Sequence, residues 1–434
     1  IPQEQRYVAG SFDPKAAPMV AKAARGESFD FQNLCGLLAL QLTGEETVSS
    51  ITFLAEDISG NNVQVSGTYG VNMTYEVDPV IELEEGQTSV ILLCDTPVQL
   101  SQQATPFYFV LPPAEYNNFR IIIRTSDDKI MIKEGTKPLT VTRSHVKPTS
   151  ALDYVENVYL DLSEEGWANC YIVSGTGSYE FDSDVIGNGE FGLIAGANFH
   201  TEDVTISPVS AELLWEDRPN LLLGVELKDN KVRFYSTGKE GNALIAVKDA
   251  DGNILWSWHI WCTDIPVDQT YVNSIGTFTV QDRNLGATRA DRGVDDEWKE
   301  SMGVYYQWGR KDPFVRGLYT RQDVPFSVQE SVSSPYVYAY NGTIWNSDSN
   351  SNLWSRTRKT IYDPCPFGYR VPSKDIWHGM TKTGGYSSSR EEFNVSGDYD
   401  QGWHFLYDGQ QVSWYPLTNY ISNYGYYSES SYSC

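Results

Sequence analysis

No run in this chain approaches the roughly 20 apolar residues that a membrane-spanning helix requires. The most apolar stretch, around Leu34–Leu42, is broken by Gly36 and Gln41. Runs of lysine or arginine are equally missing, and the formal net charge is −25 with a pI near 4.5. Such a field repels phosphates and anionic headgroups, so neither nucleic acid nor a membrane surface is an expected partner. No two of the six cysteines are close enough for a zinc knuckle or a redox C-x-x-C. The five histidines (His145, His200, His259, His378 and His404) are scattered and form no H-E-x-x-H. Neither G-x-S-x-G nor a P-loop occurs, and GNGEFG at Gly187–Gly192 lies between β-type runs with no helix following. Glu84-Glu85, Asp127-Asp128 and Asp295-Asp296 sit in turn-like sequence, where solvated charge is the expectation. No catalytic, cofactor-binding or metal-ligating residue is assigned, and the chain reads as a non-enzyme.

What is present is β pattern in quantity. At 434 residues, 41% hydrophobic and 21% charged, the chain has the composition of a folded protein of two to three domains. Residues 1–28 form a polar leader (PKAAPMVAKAARGES) without strand periodicity. From Phe29, short apolar runs alternate with turn residues about every ten positions, which predicts a β-sandwich over 29–150. The runs are FDFQNLCGLLALQL, SSITFLAED, TSVILLCD, TPFYFVLP and NFRIIIRT, after which Ile130 and Ile132 are expected to resume the inward alternation. TRSHVKPTS, with Pro148, reads as a linker.

A second sandwich is expected over 151–268. Val225 and Leu227 alternate into the turn K-D-N-K, and Val232 and Phe234 return. Ala243, Ile245 and Val247 then lead through D-A-D-G to Ile254, Trp256, Trp258 and Ile260 on one face. His259, between Trp258 and Trp261, reads as a hydrogen-bonded structural histidine. Residues 269–434 differ in kind: seven of the twelve Trp and seventeen of the twenty-eight Tyr fall at or after Trp298, among Gly, Ser, Asn and Asp. That composition predicts ordered loops pinned by aromatics, with one short helix near Ser373–Met380 capped by Ser373. The whole reads as mainly β, with two sandwiches and a loop-rich α+β end. Cysteines fall two to each segment. Cys170 and Cys262 are expected to bridge in an oxidising compartment, whereas Cys35–Cys94 and Cys365–Cys434 read equally as bridges or as thiols.

FDFQNLCGLLALQL, the SSITF strand and FRIIIRTSDDKIMIKEGTKPLTVTRSHVKP resemble the N-terminal domain of fimbrillin-type pilins. ANCYIVSGTGSYEFDSDVIGNG, GNALIAVKDADGNILWSWHIW and the WED at Trp215–Asp217 resemble the domain that follows it in surface proteins of the bacteria that make such pilins. QDRNLGATRA, GVYYQWGRKDPF and YDPCPFGYRVPSKDIW are similar to the FISUMP-type domain, with a C-type-lectin-like core. That core is shared by formylglycine-generating oxidases, but the paired C-terminal cysteines of those enzymes have no counterpart, since Cys365 precedes the matching string.

These resemblances imply an exported fimbrial tip or accessory subunit at the cell surface or outer membrane. Such a subunit would accept strands donated by other fimbrial subunits and hold a host or dietary glycan or protein at its C-terminal domain. The opening Ile1-Pro2-Gln3 reads as a chain trimmed of its targeting segment and lipid anchor. Arg25, just ahead of the first core strand, matches the place where such pilins are cut. Trp345, Asn346, Asp348 and Asn350 have the composition of a calcium or ligand loop, and Trp354 could offer a face to a sugar ring. The alternative for that loop is a solvated turn with a buried Trp. The alternative for the protein is a non-polymerising surface lipoprotein that captures glycans, and behind it an enzyme of formylglycine-oxidase or glycosidase type.

Overall fold

A computed structural model of the chain describes residues 1–58, 61–73, 79–135, 137–189, 204–272, 276–340, 345–347, 353–373, 376, 381–383, 389–396, 401–407, 410–416, 420–421 and 427–428. The fold is mainly β. The chain separates into two compact units, Ile1–Val158 and Tyr159–Cys434. Among the described residues no helix is long and apolar enough to cross a membrane.

In the first unit one sheet runs β1 (Glu4–Arg6), β8 (Ser89–Gln99), β5 (Thr47–Glu56), β11 (Asn118–Thr125), β12 (Ile130–Gly135). A second runs β14 (Val146–Asp153), β4 (Gly36–Thr43), β9 (Thr105–Leu111). Alternate residues of both sheets, including Leu38, Leu40, Ile51, Phe53, Leu92, Phe107, Phe109 and Ile121, meet in one buried cluster, so the sheets pack as a sandwich. Short pairs complete the unit: β2 (Met19–Ala21) with β3 (Phe31–Asn33), β6 (Ser66–Asn72) with β7 (Val80–Gln87), and β10 (Ala114–Tyr116) with β13 (Leu139–Val141).

Two details differ from the sequence reading. The expected linker is strand β14, paired in parallel with β4 and shifted in register after Pro148. Proline has no N–H to give a ladder, and an edge strand tolerates that. In β12 the core takes Met131, which pairs with Ile123, while Ile132 lies opposite Ile122 on the other face.

The second unit opens with another pair of sheets. One runs β15 (Tyr159–Asp161), β17 (Thr176–Asp182), β20 (Lys231–Thr237), β19 (Leu222–Lys228). The other runs β16 (Cys170–Val173), β22 (Ile254–Cys262), β21 (Gly241–Lys248), β18 (Ser210–Glu216). Asp229 and Asn230 both adopt positive φ, 53° and 60°, and close the expected β19–β20 hairpin as a two-residue turn. Nearly all of β21 and β22 is buried, on both faces. Phe181, Phe234, Trp258 and Ile260 share one cluster with Phe326, Val332, Trp345, Leu353 and Tyr362 from beyond position 320.

That C-terminal stretch contributes β23 (Asp268–Val272) with β24 (Thr277–Gln281) and β25 (Thr320–Gln322) with β26 (Val337–Ala339). It adds a three-stranded sheet of β27 (Val395–Ser396), β28 (Gly402–Tyr407) and β29 (Gln410–Pro416), then β30 (Tyr420–Ile421) with β31 (Tyr427–Ser428). The helix α1 (Val328–Ser333) was not anticipated. Its signal is Ser327-x-x-Glu330, a capping box in which each side chain bonds the other's backbone N–H. Of the helix expected over 373–380, only Ser373 and Ile376 lie within the described residues.

Candidate functional site

The leader carries the first site. Despite its polar sequence, Glu4–Arg6 forms β1, the edge of the five-stranded sheet, parallel to β8. Ile91 N–H donates to Gln3 O at 2.8 Å and Tyr7 N–H to Leu93 O at 2.9 Å. Gln5 is fully buried, and its side chain reaches the other sheet. Its Nε2 donates to Val110 O at 2.8 Å, and Val110 N–H donates to its Oε1 at 2.9 Å. The amide thus stands in for a backbone neighbour on β9, and one residue closes the seam between the two sheets. Ala16, Phe12 and Val20 add a small apolar cluster with Leu34 and Val110. Arg25 lies exposed in the turn closed by Glu27 N–H to Ala24 O, between β2 and β3, and exposed Phe29 and Phe31 follow.

In the second unit, parts of the strings GVYYQWGRKDPF and YDPCPFGYR form buried joints. Arg310, from GVYYQWGRKDPF, donates to the carbonyls of Ser331, Ser334 and Pro335 at the end of α1 and to Val337 O. Lys311 reaches Ser257 and Asp312, and its ammonium lies 4.5 Å from the centroid of the Trp256 ring. In YDPCPFGYR, Asp363 is completely buried and accepts from Lys359 Nζ, Cys365 N–H and Val371 N–H at 2.9–3.0 Å. Lys359 also donates to the carbonyls of Cys365 and Tyr369. Asn169 fastens this loop to the sheet, donating to Ile361 O and Asp363 O while accepting from Trp256 Nε1.

Clamped this way, the loop presents its outer side. A cavity of about 230 Å³ opens there, lined by Trp167, Asn188, Lys359, Phe367, Gly368, Tyr369 and Arg370. Trp167 is 38% exposed and Phe367 48%. Two glycines allow the rings their positions: a Cβ at Gly166 would sit 2.2 Å from the Phe367 ring, and one at Gly189 2.5 Å from that of Trp167. Trp167 Nε1 donates to Asp182 and Tyr369 Oη to Asp268. Sequence reasoning passed over this pocket because its walls come from positions some 200 apart. The faint signal was an arginine in an aromatic string of a strongly acidic chain.

The calcium or ligand loop fares differently. Trp345 is buried, donates through Nε1 to Trp308 O, and lies beneath Arg310. Asn346 is buried in a bridge with Phe326. Asp348 and Asn350 lie outside the described residues. Among the described residues no three His, Cys, Asp or Glu side chains cluster to hold a metal ion. Trp354 is half-buried and meets Trp308, itself 61% exposed, edge to face at 4.9 Å.

The expected Cys170–Cys262 bridge is not formed, and both are free thiols. In the parallel β16–β22 register Cys170 lies opposite His259 and Val173 opposite Cys262. Three residues, about 10 Å of strand, separate the thiols, more than a disulfide spans. Cys35 and Cys94 are likewise free and buried, and burial pushes both thiols up to about 11.

Cys170 instead faces His259. Its Sγ lies 3.4 Å from Nδ1, while Nε2 lies 2.9 Å from Asn242 Oδ1. Asn242 Nδ2 donates to Asp217 and Gly286 O, so Oδ1 must accept and His259 carries its proton on Nε2. Cysteine, histidine and amide stand in the order of a thiol protease triad. Burial reverses the consequence: it holds the thiol protonated, pushes His259 down to about 3, and leaves Cys170 with no exposed surface for a substrate.

No known family model and no curated protein matches the chain. Among solved structures it is similar to a provisionally assigned cell adhesion protein of Bacteroides fragilis, at 11% identity over 30% of this chain and with a TM-score of 0.19. The match spans 45% of that protein, less than half its length. It is also similar to the major pilin subunit of Bacillus cereus, at 11% identity over 63% of this chain and 80% of that one, with a TM-score of 0.12. Likenesses this slight carry nothing about function.

Proposed function

We propose that this protein is a cell-surface fimbrial subunit of tip or accessory type. Its first unit accepts a strand from a neighbouring subunit, and its second presents a ligand-binding surface. The observation that supports this most is the β1 edge. A three-residue strand, joined to the rest through an exposed arginine turn, covers β8 with its backbone and β9 with the Gln5 side chain. Cleavage after Arg25 would leave that strand held by non-covalent contacts alone. Its departure would strip partners from the N–H groups of Gly67, Ile91 and Val110. An edge in that state seeks a replacement strand. The reading assigns the protein no catalysis. A free-standing glycan-capturing lipoprotein is the second reading, and the aromatic pocket suits it equally.

The test supplies the strand in trans. An arginine-specific protease should cut after Arg25, and a synthetic peptide of Ile1–Phe12 should raise the melting temperature of the trimmed protein. The uncut protein should not respond, and the same peptide with Gln5→Ala should bind weakly. If the trimmed protein ignores the peptide, strand acceptance fails and the free-standing reading takes its place.

A further inference from the structure

We infer that the pocket formed by Trp167, Phe367, Tyr369 and Arg370 binds a sugar ring that carries a carboxylate. The inference deepens the ligand-binding half of the proposed function and needs nothing from strand acceptance. Three observations meet at this place.

The first is size. About 230 Å³ lies below the range of roughly 300–1,000 Å³ typical of drug-sized sites and admits a single ring. The second is the walls. Trp167 and Phe367 offer exposed aromatic faces, and large apolar rings left open to water at a concave site mark a binding surface. They are also held in place: Trp167 by Asp182, Tyr369 by Asp268, and both Trp167 and Phe367 by glycines with no room for a side chain. A site whose rings are fixed beforehand loses little entropy on binding.

The third is charge. In a chain of net −25, the described residues that line the pocket include two cations and no carboxylate. The cations are not equivalent. Lys359 is turned inward, with Asp363 and two carbonyls sharing its ammonium. Arg370 is exposed, and only its Nε is engaged, donating to Arg356 O at 3.1 Å. Its terminal nitrogens make no hydrogen bond among the described residues, and they form the planar fork that takes a carboxylate in two parallel bonds. A neutral sugar would leave that fork idle, and a small anion would leave the rings idle. A ring with a carboxylate, as in a uronic or sialic acid, uses both.

Titration of the full chain with trigalacturonate, its methyl ester and sialyllactose, followed by calorimetry and tryptophan fluorescence, tests this. At least one of the two acidic sugars should bind, and where that is trigalacturonate, its ester should bind tenfold or more weakly. The response should be unchanged by a chelator, because every contact is a side chain. Arg370→Gln should bring the acid down to the level of the ester. Trp167→Ala and Phe367→Ala should each weaken the acid tenfold or more, with unchanged thermal melts showing that the fold is intact, and Trp308→Ala should bind as the parent does. Equal binding of acid and ester overturns the carboxylate assignment and leaves the ligand-binding reading standing. So does acid binding that survives both Arg370→Gln and Trp167→Ala, which would place the site elsewhere. Failure of all these sugars and of a neutral panel (lactose, cellotriose and mannotriose) overturns the inference and the ligand-binding reading together.

Discussion

The side-chain amide of Gln5 completes the backbone hydrogen bonding of Val110, donating to its carbonyl oxygen at 2.8 Å and accepting from its N–H at 2.9 Å. All of these groups are buried, so removal of the amide leaves a donor and an acceptor without partners. Each such group costs about 1–3 kcal/mol. Gln5→Ala should therefore destabilise the first unit by about 2–6 kcal/mol, read as an earlier transition of that unit in calorimetry. Gln5→Glu should be worse at neutral pH than in acid, because a carboxylate cannot donate to the Val110 carbonyl. A melt of Gln5→Ala that overlays the parent's would mean that β1 does not hold the seam.

His259 gives the second unit a pH dependence of known sign. Burial holds this imidazole neutral in the folded protein down to about pH 3, whereas in the unfolded chain it takes up a proton near 6.5. Stability from this group is complete above pH 6.5 and declines as the pH falls toward 3, by up to about 1.4 kcal/mol per unit. His259→Gln should be less stable at pH 7, and the gap to the parent should narrow between pH 6.5 and 4.5. Parallel stability profiles over that range would show that another group governs acid unfolding.

The same strand shows what the sequence could and could not reveal. Alternation alone picked out β5, β8, β9 and β11 and the two hairpins of the second unit, because a half-buried strand writes its inner face at period two. It placed Trp258 and Ile260 correctly among the core residues. Of the polar positions on this strand, His259 reads as a hydrogen-bonded structural histidine and is buried, whereas nothing in the alternation marks Ser257, which is buried too. Their side-chain partners, Asp312, Lys311, Tyr306, Asn242 and Cys170, stand 17–89 positions away. Period-two pattern carries no record of what a later segment lays over a sheet. β1 was missed for a related reason: its one inward residue is a glutamine, which satisfies β9 by hydrogen bonding where an apolar residue would have announced the strand.

The buried thiols give a third expectation. Cys35, Cys94, Cys170 and Cys262 are free, and burial disfavours every one of their thiolates, with Cys262 pushed up to about 12. Since the thiolate is the reactive form, Ellman's reagent should label none of the four in the folded protein at pH 8. Unfolding without reductant should expose all four to N-ethylmaleimide, as counted by peptide mapping. Recovery of a Cys170–Cys262 linked peptide would contradict the strand register.

The last expectation concerns Lys311 and Asp312, consecutive charged residues that are each almost wholly buried and bonded both to one another and to Ser257 on β22. Taking two charges out of water is costly, and the pair offsets that cost only while both are present. Lys311→Met leaves the Asp312 carboxylate with the Ser257 hydroxyl as its remaining side-chain hydrogen-bond partner among the described residues and should cost about 3–5 kcal/mol in urea unfolding of the second unit. Asp312→Asn leaves an ammonium against the Trp256 ring and the Ser257 oxygens, a milder loss because those contacts still accept its protons. The double variant Lys311→Met, Asp312→Asn removes both charges, so its cost should fall short of the sum of the singles by more than about 1 kcal/mol, the non-additivity expected of residues in one network. Strict additivity would mean that each charge is stabilised by surroundings other than its neighbour. The joint between sheet and C-terminal segment would then depend on apolar packing around Trp256 and Tyr362 rather than on this ion pair.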